Sequence, residues 1–278
     1  MSSCTQTRSA AAALPLIILL LGISISAHQA RAAGGLFSGP GRSEVLSADF
    51  SAVVATFFLD RNLVESWLPP GLRLAEDCPF EDHPVIILFG TQRNLTRHKW
   101  LALRPRWGRC YRETFVAVPY LKLQHCPNGK PVFHFVRVYL NNMPATTQGI
   151  KRFGWPKICT PIHAAGREYR VLRGIRGAVF EADTHYAEMK PVDRNNKSLR
   201  QIRQMLSQTL VLRHRGCLDR YRFNLHFETA RISPVATRIQ LREGFMPGLD
   251  PTEVAVAGID EADFGAFAIQ CRFTKVAR

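Results

Sequence analysis

The alternation of apolar and polar positions predicts a chain built mainly from strands. Residues 132–140, VFHFVRVYL, carry the clearest strand signal, an almost unbroken series of aromatic and branched side chains. Residues 84–89, PVIILF, form a continuous apolar run, the pattern of a strand buried on both faces. Residues 111–123 form a further strand, whose alternation sets Tyr111, Glu113, Phe115 and Ala117 on one face. Shorter strands are expected at 169–171, 178–182, 221–227 and 237–241. Helical spacing occurs in residues 60–72, where Leu63, Val64, Trp67 and Leu68 share a face and Pro69-Pro70 stops the run. It recurs in residues 197–212 through Leu199, Ile202, Met205, Leu206 and Leu210. The expected fold is α+β and mostly β, a large antiparallel sheet or barrel with a few covering helices. No glycine-rich strand-to-helix loop marks a parallel nucleotide-binding sheet.

The N-terminus follows a different pattern. Arg8 precedes an uncharged, mostly apolar run over residues 10–25, and Ala30-Arg31-Ala32 then gives the small-x-small spacing of a cleavage site. A signal peptide is expected over residues 1–32, then a flexible linker over 33–45 containing Gly34, Gly35, Gly39, Pro40 and Gly41, then a single domain over 46–278. The protein would thus be exported, to a periplasm or outside the cell. An uncleaved N-terminal anchor is the alternative, because the apolar run approaches the lower limit for a membrane span. With 46% hydrophobic residues in 278, a chain of this size can bury a substantial core. Cys78, Cys110, Cys126, Cys159, Cys217 and Cys271 lie beyond the N-terminal segment, and an exported chain could pair them, with buried thiols as the alternative. None has the CxxC spacing of a zinc or redox site, so no metal is expected.

Charge adds one feature. The formal net charge is +15, and from Arg93 to Arg112 there are seven basic residues and no acid. Such a run forms a solvated basic surface and could also contact an anionic membrane surface, as could the N-terminus. No nucleic-acid-binding motif accompanies it, so no nucleic-acid partner is expected.

Candidate chemistry centres on Lys157, which follows Trp155-Pro156 and precedes the largely apolar stretch ICTPIH. A free lysine has a pKa near 10.4, and bringing it to roughly 7 requires about 4–5 kcal/mol of differential destabilisation of the ammonium. Burial among groups such as Trp155, Pro156 and Ile158 supplies that kind of penalty. A neutral amine can then attack a carbonyl and form a Schiff base. The bland alternative is a lysine whose stem packs on Trp155 while its ammonium reaches water. His134, on the clearest strand, reads as a satisfied core histidine, with proton transfer as the alternative.

Three stretches taken in order, YRETFVAVPYL (111–121), YLNNMPATTQG (139–149) and GWPK (154–157), resemble the acetoacetate decarboxylase family. The resemblance implies an acetoacetate decarboxylase-like domain in which Lys157 is the Schiff-base lysine and Glu113 is an active-site glutamate on a neighbouring strand. Tyr111 and Trp155 would then line the substrate site, with Arg137 and Arg152 the nearest candidates to bind an anionic substrate group. The implied substrate is a small keto acid, and the implied reaction is loss of carbon dioxide from a β-keto acid such as acetoacetate. Related imine chemistry, aldol condensation or dehydration, belongs to the same family. No cofactor is needed, and family members commonly assemble, which implies a homo-oligomer. The sequence also departs from the family: Ile158 stands where a second lysine is usual, no arginine lies near Phe50, and no glutamate lies at 88–90. A relative that binds a small molecule without turnover, or a basic envelope protein, is the reading outside enzymology.

Overall fold

The computed structural model describes residues 45–98, 110–126, 128–174, 177–186, 195–256 and 266–277. The N-terminal segment and residues 99–109 of the basic run from Arg93 to Arg112 lie outside the described residues.

Among the described residues fourteen strands form one mixed sheet with three helices. Its main path runs through β1 (Val45–Leu59), β3 (His83–His98), β4 (Cys110–Leu123), β5 (Val132–Leu140), β10 (Thr209–His214), β11 (Cys217–Asn224) and β14 (Ala266–Ala277). β14 also pairs antiparallel with β1, so these seven strands form a cycle of pairings. From β14 the sheet continues as an open arm through β12 (Arg231–Leu241), β9 (Ala178–Tyr186), β8 (Glu168–Leu172) and β7 (Ile162–Ala165). Three short strands attach at the side: β2 (Leu72–Leu74) on β4, β6 (Lys157–Cys159) on β5 and β13 (Thr252–Val256) on β12.

The mostly-β expectation holds, with one refinement: β5 has parallel neighbours in β6 and β10. The β6 case follows from a helical crossover. Between β5 and β6 runs α2 (Met143–Phe153), and a strand reached through a helix returns parallel. The other helices are α1 (Arg61–Ser66) and α3 (Lys197–Leu206). Both are shorter than their apolar spacing suggests. Leu72 opens β2, and Leu210 belongs to β10, where the helical interval from Leu206 is coincidental.

Strand alternation sorts the interior into two clusters. The first contains Phe50, Leu88, Tyr111, Phe115, Phe133, Phe135 and Trp155, closed by Leu199, Ile202, Met205 and Leu206 of α3. The second lies on the other face of β3, β4 and β5 and contains Ile87, Phe89, Val116, Tyr139, Tyr169, Phe180 and Phe245. Each such side chain contributes about 1.5–3 kcal/mol when fully buried. No disulfide joins any of the six cysteines among the described residues.

Candidate active site

α2 and its two caps position the key lysine. The Asn142 side chain accepts from Ala145 N at 2.9 Å, capping the helix, and Pro144 occupies its first turn, where a missing N–H is harmless. Gly154 ends the helix at φ 62°, and a Cβ there would stand 2.1 Å from the Arg213 carbonyl oxygen, so only glycine fits. The chain then turns inward: Trp155 is buried, Val138 N donates to Pro156 O at 2.9 Å, and Lys157 opens β6 opposite Val138.

The Lys157 side chain runs back beneath α2. Its Nζ donates to Ala145 O at 3.3 Å and lies 5.0 Å from the centroid of the Trp155 ring. Gly149 leaves room for it, since a Cβ at that position would fall 2.6 Å from Cδ, 2.7 Å from Cε and 2.9 Å from Nζ. The Trp155 ring stacks on Phe135 at 5.2 Å and meets Phe115 at 5.8 Å. An aromatic bed therefore underlies the amine.

Glu113 reaches the same cluster from β4, on the face it shares with Tyr111 and Phe115, as the alternation predicts. It is 2% exposed, and its Oε1 has no hydrogen-bond partner among the described residues. Burial lowers the pKa of Lys157, opposed by the charge of Glu113. Burial raises the pKa of Glu113, opposed by the charge of Lys157. Each group thus sits in the field of the other, and desolvation pushes both towards their neutral forms. A neutral amine beside a protonated carboxyl is the pairing that carbonyl addition and subsequent loss of water require.

Two neighbouring positions behave differently from their sequence context. Ile158 packs against the second cluster, so the side chain following Lys157 points away from Glu113. Desolvation is the dominant influence on Lys157. Arg112, adjacent to Glu113 in sequence, donates to Ile162 O at 3.0 Å and to Ala164 O at 3.3 Å, tying β4 to β7.

Tyr111 and Trp155 lie in the first cluster, with the Lys157 amine over the Trp155 ring, whereas Arg137 lies on the other face. A β-bulge opposite Val116–Ala117 inserts an extra residue into β5, shifts the alternation, and turns Arg137 to the second face. There it donates to Phe245 O at 2.7 Å and to the Tyr139 hydroxyl at 3.2 Å. His134 faces the same side, with Nδ1 2.7 Å from Val211 O, and burial lowers its pKa to about 4, so it is neutral and structural. Arg152 belongs to the last turn of α2, and its side chain lies outside the described residues. Gln92, which the sequence did not single out, is 2% exposed and accepts a hydrogen bond from the Tyr111 hydroxyl through Oε1. Its signal was its even spacing from Ile86 and Leu88 along β3, which puts an amide on an apolar face.

No protein-family model matches the chain, and no curated protein matches it. Solved structures do. The enduracididine biosynthesis enzyme MppR, complexed with the condensation product of pyruvate and imidazole 4-carboxaldehyde, superposes with a TM-score of 0.53 at 14% identity, covering 85% of this chain and 87% of that one. The same enzyme complexed with pyruvate gives 0.53 at 13% identity, covering 88% and 92%. An acetoacetate decarboxylase-like enzyme from Sphingomonas wittichii RW1 gives 0.50 at 12% identity, covering 84% and 90%. At such identities the likeness is one of fold, and the fold of this chain is acetoacetate decarboxylase-like.

Proposed function

We propose that the protein is a Schiff-base-forming lyase that acts through Lys157 on a small keto acid, releasing carbon dioxide from a β-keto acid such as acetoacetate. The observation that carries this reading is the Lys157 amine, desolvated over the Trp155 ring and electrostatically linked to the buried Glu113. The neutral amine adds to the ketone carbon, and the nitrogen loses a proton as the oxygen gains one. Protonated Glu113 then gives its proton to the departing hydroxyl, water leaves, and a protonated imine remains. The electron pair of the bond to the carboxylate moves into that imine as carbon dioxide departs, leaving an enamine. A proton returned to the enamine carbon restores the imine, and water hydrolyses it to free the ketone and the lysine. The imine is itself the electron sink.

A second reading, aldol condensation or dehydration through the same lysine, is favoured by the bound pyruvate and pyruvate condensation product of the MppR structures. Imine formation is common to both. Borohydride reduction in the presence of acetoacetate or pyruvate, followed by peptide mass spectrometry, tests the shared step, and carbon dioxide release from acetoacetate separates the two. Export after removal of residues 1–32 remains the reading of the N-terminus, and N-terminal sequencing of the protein from the producing cell tests it.

A further inference from the structure

Gln92 is a buried amide on the face of β3 that meets Tyr111 and Glu113 of β4. It lies on β3 two residues beyond Gly90, which is in register with Glu113, and its own register partners are Tyr111 on β4 and Phe50 on β1. Period-two alternation puts it on the face of Ile86 and Leu88, with Tyr111 and Glu113 beside it. The Tyr111 hydroxyl donates to Oε1 and fixes the amide. A primary amide carries two further donors on nitrogen, and no described residue accepts from Nε2. These donors remain open to a ligand on a side chain that is 2% exposed overall. Two described arginines are committed elsewhere: Arg137 to Phe245 O on the other face, Arg112 to the carbonyls of β7.

We propose that the Gln92 carboxamide, oriented by Tyr111, binds the carboxylate of the substrate held on Lys157, so that a neutral donor does the work of a cationic clamp. The inference rests on the Schiff-base reading of Lys157. It predicts selectivity by hydrogen bonding, and a donor lost to a charged acceptor weakens binding roughly ten- to a hundredfold.

The test is borohydride trapping as a function of concentration with pyruvate and with methyl pyruvate, which has the same carbonyl and no carboxylate. Gln92→Met removes the donor at similar volume. The expected result is a half-saturating pyruvate concentration raised at least about tenfold, an unchanged maximal trapping rate, and an unchanged response to the ester. Equal losses for acid and ester, or no change for either, overturn the proposal. If Gln92→Met does not fold, as judged by thermal melting, Tyr111→Phe removes only the hydroxyl that orients the amide and is expected to shift pyruvate alone in the same direction. Failure of the wild-type protein to trap either compound refutes the Schiff-base reading itself and takes this inference with it. Trapping by wild type with identical behaviour of the variants refutes only the role of Gln92.

Discussion

Gly149→Ala is a small change with a large expected effect on the site. The added methyl would stand 2.6 Å from Lys157 Cδ, 2.7 Å from Cε and 2.9 Å from Nζ, where ordinary contacts begin at 3.4 Å. The lysine, being the flexible partner, must retreat by about 1 Å, out of its place over Trp155 and beneath Ala145 O. Misplacing a reacting group by about 1 Å costs on the order of 100-fold in rate, or about 2.7 kcal/mol in the barrier. Stability should change far less, because the overpacking penalty of about 1–3 kcal/mol is offset by the roughly 1 kcal/mol that alanine gains over glycine within a helix. The assay is single-turnover borohydride trapping with a keto acid, run beside a thermal melt. A drop of roughly 100-fold in trapping with a nearly unchanged melting temperature is expected. Trapping at the wild-type rate would refute the argument that Gly149 makes the channel for Lys157.

Two further substitutions probe the electrostatics and the arginines. The carboxylate of Glu113 holds the pKa of Lys157 up against desolvation, so Glu113→Gln should lower it further and move the acidic limb of the trapping profile to lower pH. The maximal rate should fall about 10²–10⁴-fold through loss of the proton donor, and a limb moved to higher pH would contradict the assignment. Arg137→Met removes bonds to Phe245 O and Tyr139 on the face away from Lys157, so denaturant unfolding should register the loss while trapping stays within about twofold of wild type. A selective loss of affinity for keto acids in Arg137→Met would place that arginine back at the substrate.

Much of the frame was legible because strand alternation is a direct consequence of the pleat. β4 and β5 appear close to their expected limits, and the Tyr111–Glu113–Phe115 face is the one that was read. α2 was not anticipated, because its exposed Met143 and Ile150 blur the apolar stripe. Its terminal signals were nevertheless present in Asn142, Pro144 and Gly154. The long edges of β1, β12 and β14 depend on cross-strand partners far away in sequence, which local patterning does not encode. Arg137 illustrates the same limit at the site: counting by two from His134 puts the residues on opposite faces, and the bulge, a property of the pairing with β4, puts them on one. Ile158 carries the opposite lesson. Its departure from the family pattern reads as a missing charge, yet its side chain belongs to the second cluster, so the desolvation of Lys157 does not depend on it.

The central claim is that the Lys157 amine is neutral enough to form an imine, and the most direct measurement is the mass of its peptide after borohydride reduction with acetoacetate or pyruvate. A stable adduct on Lys157, absent from Lys157→Ala, is the predicted result. An unlabelled Lys157 with every keto acid tried, or equal labelling of the Lys157→Ala protein, would contradict it.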